Sequence, residues 1–158
     1  MVRKIPFDRD VEIVGDAQLT LTIQVNKPDA TVFVYLLEHN TLTGQYQYLT
    51  EGHLRLIHRK LYNQSVDDDL LVFRTFRQKD AQPMPVNQPE QVTIFLQPIA
   101  YKLRKGNSLV LSIAGWDKDN FDNVDLKNNV ADQFTIFSTS TVKIPILQFA
   151  RKNKRGVA

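Results

Sequence analysis

The side chains best suited to chemistry are concentrated in residues 116–123, where three carboxylates fall within six positions. Asp117, Asp119 and Asp122, together with neighbouring amide oxygens, are the hard oxygen ligands that calcium prefers. An EF-hand beginning at Asp117 would need glycine at its sixth position and glutamate at its twelfth, but aspartate and Asn128 stand there. We therefore predict no metal site, and calcium bound in a loop of another kind stays an open alternative.

The glycines exclude several kinds of catalytic or nucleotide-binding site. A serine nucleophile of the α/β-hydrolase type is flanked by glycines four residues apart, and no pair has that spacing: Gly15, Gly44, Gly52, Gly106, Gly115 and Gly156. None lie two apart, which also excludes the dinucleotide fingerprint and the P-loop. The three histidines, His39, His53 and His58, lack the spacing of zinc proteases, and there is no cysteine. The sequence predicts no catalytic residue and no cofactor.

The distribution of charge argues against a nucleic-acid partner. The chain has 20 Lys and Arg residues against 17 Asp and Glu residues, and six of the basic ones lie in the end segments 3–4 and 151–155. The body between these segments is mildly acidic, whereas a phosphate-binding surface needs basic residues gathered on one face. We interpret residues 151–158 as a disordered basic tail and predict no binding to nucleic acid.

The sequence also lacks the signals of a membrane or secreted protein. No apolar run approaches the roughly 20 residues that span a bilayer, and the first residues lack the apolar block of a signal peptide. We therefore expect a soluble chain without membrane contact, and we favour a cytoplasmic location.

The elements that must position these residues are β-strands, because apolar and polar residues alternate with a period of two. Residues 19–25 show the pattern clearly, with leucine, isoleucine and valine alternating with threonine and glutamine. Residues 31–37 are apolar on both faces, as in a central strand. The alternation recurs at residues 54–56, 92–97, 109–113 and 142–146.

About eight short strands with long connections indicate one all-β domain over residues 5–150, an antiparallel β-sandwich of jelly-roll type. Between the strands ending near Lys60 and starting near Gln91, closely spaced prolines favour an extended crossing segment over a central strand. Just before these prolines, we predict a short helix at residues 70–76.

Three segments resemble the C-terminal non-catalytic domain of the X-Pro dipeptidyl-peptidase and cocaine esterase (CocE/NonD) family of hydrolases. They are residues 7–15, an opening strand with a Val-Gly turn, residues 49–59, which read Leu-Thr-Glu-Gly-His-Leu-Arg-Leu-Ile-His-Arg, and residues 98–114, a Pro-x-Ala-Tyr approach followed by a Gly-led strand. Their order and spacing match the family over most of the chain. One departure is Asn107, where the family often has histidine.

The resemblance implies a galactose-binding-like jelly roll that packs against an α/β-hydrolase catalytic domain of the same parent chain and a helical cap. Family members cleave X-Pro dipeptides, or hydrolyse esters and β-lactam side-chain amides, by serine acyl transfer. The catalytic triad belongs to the other domain, and no residue here matches any of its members. The expected function is therefore that of a non-catalytic accessory domain that helps to shape the substrate cleft.

For the contact between domains we select aromatic and polar residues at strand ends: Tyr101, Trp116, Asp119, Asn120 and Phe121. A second hypothesis is a free-standing carbohydrate-binding module, since Tyr46 and Tyr48 lie two residues apart and could share one strand face as a sugar platform.

Overall fold

The alternating residues place one face of each strand in a common core. The computed structural model describes residues 1–66, 69–121 and 133–147, and in them twelve strands and two single-turn 3₁₀ helices, Leu56–His58 and Gln78–Asp80. The strands are β1 (Val2–Pro6), β2 (Val11–Gly15), β3 (Gln18–Val25), β4 (Thr31–His39), β5 (Tyr46–Arg55), β6 (Tyr62–Val66), β7 (Asp69–Phe73), β8 (Pro89–Phe95), β9 (Ile99–Leu103), β10 (Ser108–Ala114), β11 (Phe134–Ile136) and β12 (Thr141–Lys143).

The first layer is a four-stranded antiparallel sheet in the order β1-β10-β4-β5. β4 lies between two neighbours, which confirms the central strand expected at residues 31–37. Its inward residues Val32, Val34 and Leu36 are fully buried in the core. On the outer face Phe33 is also buried, because the loop after β10 covers it.

The second layer is built around β3. β8 pairs with one side of β3, while β11 and β12 pair with the two ends of its other side. The β2-β9 pair joins this layer through residues 145–147, since the Leu147 amide donates to the Glu12 carbonyl at 2.8 Å and Ile13 bridges Ile146.

The core lies between these layers and is made of the alternating residues found in the sequence. The inward side chains of β3, β4, β8 and β10 supply most of it: Leu19, Leu21, Ile23, Val25, Val32, Val34, Leu36, Val92, Ile94, Leu109, Leu111 and Ile113. The predicted all-β antiparallel sandwich is confirmed, while its jelly-roll connectivity and the domain limits 5–150 stay predictions. Among the described residues, no helix has the length and apolar character that crossing a membrane requires. The tail predicted at residues 151–158 lies outside the described ranges.

The helix predicted at residues 70–76 is wrong. Residues 69–73 form strand β7, which pairs antiparallel with β6 in a separate hairpin. The apolar run here spans only residues 70–73, and such a short run has no periodicity that distinguishes a helix from a strand. The partner strand β6 decides the outcome, because it satisfies the backbone of β7 in the extended form.

The two layers meet along one edge, where β5 of the first approaches β8 of the second. A Cβ atom added to Gly52 would lie 2.4 Å from the carbonyl oxygen of Phe95, far inside van der Waals contact. Just beyond this point, the Gln97 amide donates to the Glu51 carbonyl at 2.9 Å, and the Thr50 hydroxyl donates to the Gln97 carbonyl at 2.8 Å. Glycine at position 52 thus allows backbone to contact backbone and closes this edge.

We expect Gly52→Ala to destabilise the fold by about 3 kcal/mol, because the new methyl group meets a backbone carbonyl that no side-chain rotation can relieve. Urea unfolding of the 158-residue chain, followed by circular dichroism, measures the loss. Gly44→Ala is the matched control: its added methyl group meets no atom within 4 Å, so only the positive φ of 74° opposes it, at about 1 kcal/mol. Equal unfolding midpoints for Gly52→Ala and the unsubstituted chain would contradict the close approach.

Candidate functional site

The loop that follows β10 is organised by the carboxylate of Asp117. This carboxylate accepts hydrogen bonds from the Tyr35 hydroxyl at 2.6 Å and from the Asn120 amide at 2.8 Å. The backbone carbonyl of Asp117 also accepts from the Phe121 amide at 3.0 Å, which turns the chain back on itself. Because Tyr35 belongs to the central strand β4, the loop is fixed to the middle of the first sheet.

The ionisation of this pair follows from its hydrogen bonds. The hydroxyl of Tyr35, followed by the amide of Asn120, holds the pKa of Asp117 below its usual range, since both donors favour the carboxylate. Burial, followed by the bond to Asp117, raises the pKa of Tyr35. At neutral pH the pair is therefore a charged acceptor and a neutral donor, which is the stronger kind of hydrogen bond.

Aromatic packing completes the loop. The ring of Phe121 lies 4.9 Å from that of Phe33 and 5.0 Å from that of His53, measured between centroids. The indole nitrogen of Trp116 donates to the Phe121 carbonyl at 3.1 Å. Although Phe33 is almost fully covered, Trp116 and Phe121 themselves remain 43% and 37% exposed. The loop thus presents two aromatic side chains to solvent on a backbone held by hydrogen bonds.

Four of the five residues selected from the sequence come together in this loop: Trp116, Asp119, Asn120 and Phe121. Asp119 and Asn120 are exposed at its turn. Tyr101 does not join them. It belongs to β9 and donates its hydroxyl hydrogen to Glu38, near the far end of β4.

Glu38 lies five residues beyond Phe33, or roughly 17 Å along the strand. Its carboxylate is buried, with 7% of the residue exposed, and it also accepts a hydrogen bond from the side-chain amide of Asn107 at 2.6 Å. Burial, followed by the hydrogen bond from the Tyr101 hydroxyl to Glu38, raises the pKa of Tyr101 to about 12. Tyr101 is thus part of an internal polar network that connects β9 of one layer with β4 of the other.

The histidines pack against aromatic rings. His39 contacts Tyr46, His53 contacts Phe33, and His58 meets the edge of Phe76. Within residues 1–66, 69–121 and 133–147, no group of three or more histidine, aspartate or glutamate side chains is placed to hold a metal ion. Asp122 and Asn123, the remaining residues of the calcium hypothesis, lie outside those ranges.

Sequence reasoning missed the residues that support the loop, namely Tyr35, Phe33 and His53. Tyr35 and Phe33 sit in the apolar run 31–37, where the pattern predicted only burial. The hydroxyl of Tyr35 was the available signal, because a tyrosine in such a run needs a hydrogen-bond partner. Nothing in the sequence indicated that this partner would be Asp117, which lies 82 positions away.

Replacing Tyr35 with phenylalanine removes the main donor to Asp117, so we expect the pKa of the Asp117 carboxyl to rise toward the ordinary aspartate value. Carboxyl carbon chemical shifts, recorded over a pH titration by NMR, measure it. Tyr46→Phe removes a hydroxyl from an exposed position elsewhere on the same sheet and should leave this pKa unchanged. An Asp117 titration that is the same with and without the Tyr35 hydroxyl would show that the bond does not form in solution.

Comparison with known sequences finds a family of non-catalytic domains. Residues 2–140 match the family described as the X-Pro dipeptidyl-peptidase C-terminal non-catalytic domain. Two proteins assigned as serine esterases, from Mycobacterium bovis and Mycobacterium tuberculosis, are each 36% identical to this chain over 122 residues. These alignments cover 73% of this chain and 18% of each relative, so the chain spans less than one fifth of their length.

Solved structures share the fold. A CocE/NonD family hydrolase from Staphylococcus aureus superimposes with a TM-score of 0.69 at 18% identity, covering 93% of this chain and 30% of that one. An aminopeptidase from a marine sediment Thaumarchaeota archaeon gives a TM-score of 0.65 at 14% identity, covering 94% and 26%. Because the family match extends over most of its residues, the chain belongs to the family of X-Pro dipeptidyl-peptidase C-terminal non-catalytic domains.

Proposed function

We propose that this domain packs against the α/β-hydrolase catalytic domain of its parent chain, with the Trp116–Phe121 loop in the contact, and that it helps to shape the substrate cleft. The observation that carries the proposal is the pair of exposed aromatic side chains, Trp116 and Phe121, on a loop anchored to β4. Aromatic residues are enriched in protein contacts and dominate their energetics.

The anchoring of the loop matters for the strength of such a contact. Association costs free energy when flexible side chains and loops must be ordered. Here the bonds of Asp117 to Tyr35 and Asn120, and the contact of the Phe121 ring with that of Phe33, order the loop before any partner arrives. Asp119 and Asn120 are exposed beside the aromatic residues and would form the polar rim of the contact.

Tyr101 has a different place in the proposal. Its hydroxyl is engaged with Glu38, so it supports β4 from inside the sandwich. A direct contact with the catalytic domain would require an interface that extends roughly 17 Å from the loop along the sheet.

The reaction itself is assigned to the catalytic domain, as serine acyl transfer on ester or X-Pro substrates. Two observations support this division. In the described residues no serine hydroxyl is hydrogen-bonded to a histidine, which a serine–histidine pair would need. The match to this chain also covers less than a third of the length of the solved hydrolases that share its fold. The 158-residue chain alone is therefore expected to be inactive.

A carbohydrate-binding module is the alternative, and the exposure of two tyrosines on one strand face favours it. Tyr46 and Tyr48 are 54% and 55% exposed on the outer face of β5. However, the Tyr46 ring is already in contact with the ring of His39 at 4.7 Å and lies under the ammonium group of Lys4 at 5.6 Å. A sugar would have to displace these neighbours, so the docking proposal accounts for the surface better.

We expect alanine at both Trp116 and Phe121 to weaken docking in the full-length hydrolase by about 2 kcal/mol or more, as truncation of central aromatic contacts does. Limited proteolysis between the domains and kcat/KM on an ester substrate measure the effect. Alanine at both Tyr46 and Tyr48 is the matched control, since it removes two exposed aromatic rings from another part of the same sheet. Unchanged proteolysis and kinetics in the Trp116 and Phe121 variant would reject the proposed contact.

We also expect the isolated 158-residue chain to hydrolyse neither p-nitrophenyl acetate nor Ala-Pro-p-nitroanilide, and to bind no sugar from a panel of mono- and oligosaccharides. The reason is that no serine hydroxyl in the described residues is hydrogen-bonded to a histidine, and that the ring of Tyr46 is already in contact with His39 and Lys4. Calorimetric titration and absorbance assays provide the readouts. Saturable sugar binding that is lost when Tyr48 is replaced by alanine would favour the alternative module.

A further inference from the structure

The edge of the sandwich opposite Gly52 is open. Between β1 and β10 on one side and β3, β11 and β12 on the other lies a cleft of about 440 Å³. Core side chains from both layers line its interior: Leu19, Leu21, Leu111, Ile113, Ile136 and Val142. We refer to this space as the open-edge cleft. Leu19, Leu21 and Ile113 form its buried floor, while Ile5, Ile136 and Val142 are partly exposed in it.

The wall of the cleft formed by the second layer is built of short strands and a turn. β12 pairs with β3 over only three residues. The turn before β12 is also bound to β3, because the Phe137 amide donates to the Thr22 carbonyl and the Thr22 amide donates to the Ser140 hydroxyl. Within the described residues, no hydrogen bond joins β1 to this turn. In the described residues, hydrogen bonds therefore do not close this edge as they close the edge at Gly52.

Arg3 contributes a cationic side chain to the open-edge cleft, and the N-terminal ammonium group of Met1, also a lining residue, is bonded to the Ile113 carbonyl. Arg3 pairs with Leu111 in the register of β1 and β10, and Leu111 faces the core, so Arg3 faces the same way. Among residues 1–66, 69–121 and 133–147, no carboxylate forms an ion pair with Arg3. A guanidinium group beside an apolar space is suited to one carboxylate, which it can bind through two parallel hydrogen bonds.

We propose that the open-edge cleft binds a small monocarboxylate with an apolar tail, with the carboxylate on Arg3 and the tail along the partly exposed side chains of Ile5, Ile136 and Val142. The volume of the cleft lies in the range of small-molecule sites, which are mostly apolar with a few polar groups that fix orientation. Ser138 and Thr141 belong to the wall opposite Arg3. The site shares no residue with the Trp116–Phe121 loop, so its test is independent of the docking proposal.

A competing explanation for Arg3 is protection of an edge strand. A charge that points inward from an edge strand such as β1 discourages pairing with another chain. That explanation requires no ligand and predicts that loss of the charge promotes association between copies of the chain. The two explanations therefore differ in what replacement of Arg3 does.

The experiment titrates octanoate into the 158-residue chain, with calorimetry for affinity and methyl-resolved NMR for location. Octan-1-ol and octylammonium serve as probes of equal tail length without the negative charge. We expect saturable binding of octanoate, shifts confined to methyl groups of the cleft, and binding about tenfold weaker for the Arg3→Gln variant, as expected when a charged hydrogen-bond partner is lost. Arg9→Gln, which removes the same charge from the exposed turn after β1, should bind octanoate as the unsubstituted chain does.

Several results would overturn the proposal. Absence of saturable octanoate binding would do so, as would equal affinities for octanoate and octanol or an affinity unaffected by Arg3→Gln. Shifts located away from the cleft would place the ligand elsewhere. Self-association of the Arg3→Gln variant, measured by sedimentation without loss of octanoate affinity, would assign Arg3 to edge protection.

Discussion

The close approach of Gly52 to Phe95 is the constraint on which the shape of the sandwich depends. It allows the backbones of β5 and β8 to meet, and the hydrogen bonds of Glu51 and Thr50 with Gln97 fasten the edge at that point. Two twisted sheets that touch along one edge diverge toward the other. The space on the far side, between β1 and β12, is the counterpart of the tight contact on the near side. The closed edge at Gly52 and the open edge at β1 thus both follow from the angle between the two sheets.

The alternation of apolar and polar residues predicted most of the fold, because burial of one strand face is a local property that the sequence records directly. The alternation did not predict strands whose conformation depends on pairing with a distant part of the chain. β1 carries Arg3 and Lys4, so its residues were interpreted as part of a charged terminus, although β10 supplies a register for all five of them. The run 70–73 was too short for its period to be recognised, and pairing with β6 determined its conformation. In both cases the deciding partner lies on another strand.

The candidate site shows the same division. Trp116, Asp119, Asn120 and Phe121 were selected from the sequence because they are aromatic and polar residues at the end of a predicted strand. The supports of the loop come from β4 and β5, far away in sequence, and no local pattern reveals them. Tyr101 was grouped with the loop because it also lies at a strand end. Only the order and direction of the strands show that Tyr101 and the loop lie at opposite ends of β4.

The buried carboxylate of Glu38 limits which residues can stand at position 107. Both oxygens of Glu38 are engaged by donors, one from Tyr101 and one from the amide of Asn107. Aspartate has nearly the shape of asparagine, yet it would place a second acceptor 2.6 Å from Glu38. Histidine at this position could instead offer a ring N–H. Slow chemical conversion of this asparagine to aspartate, as proteins age, would therefore turn an attraction inside the sandwich into a repulsion.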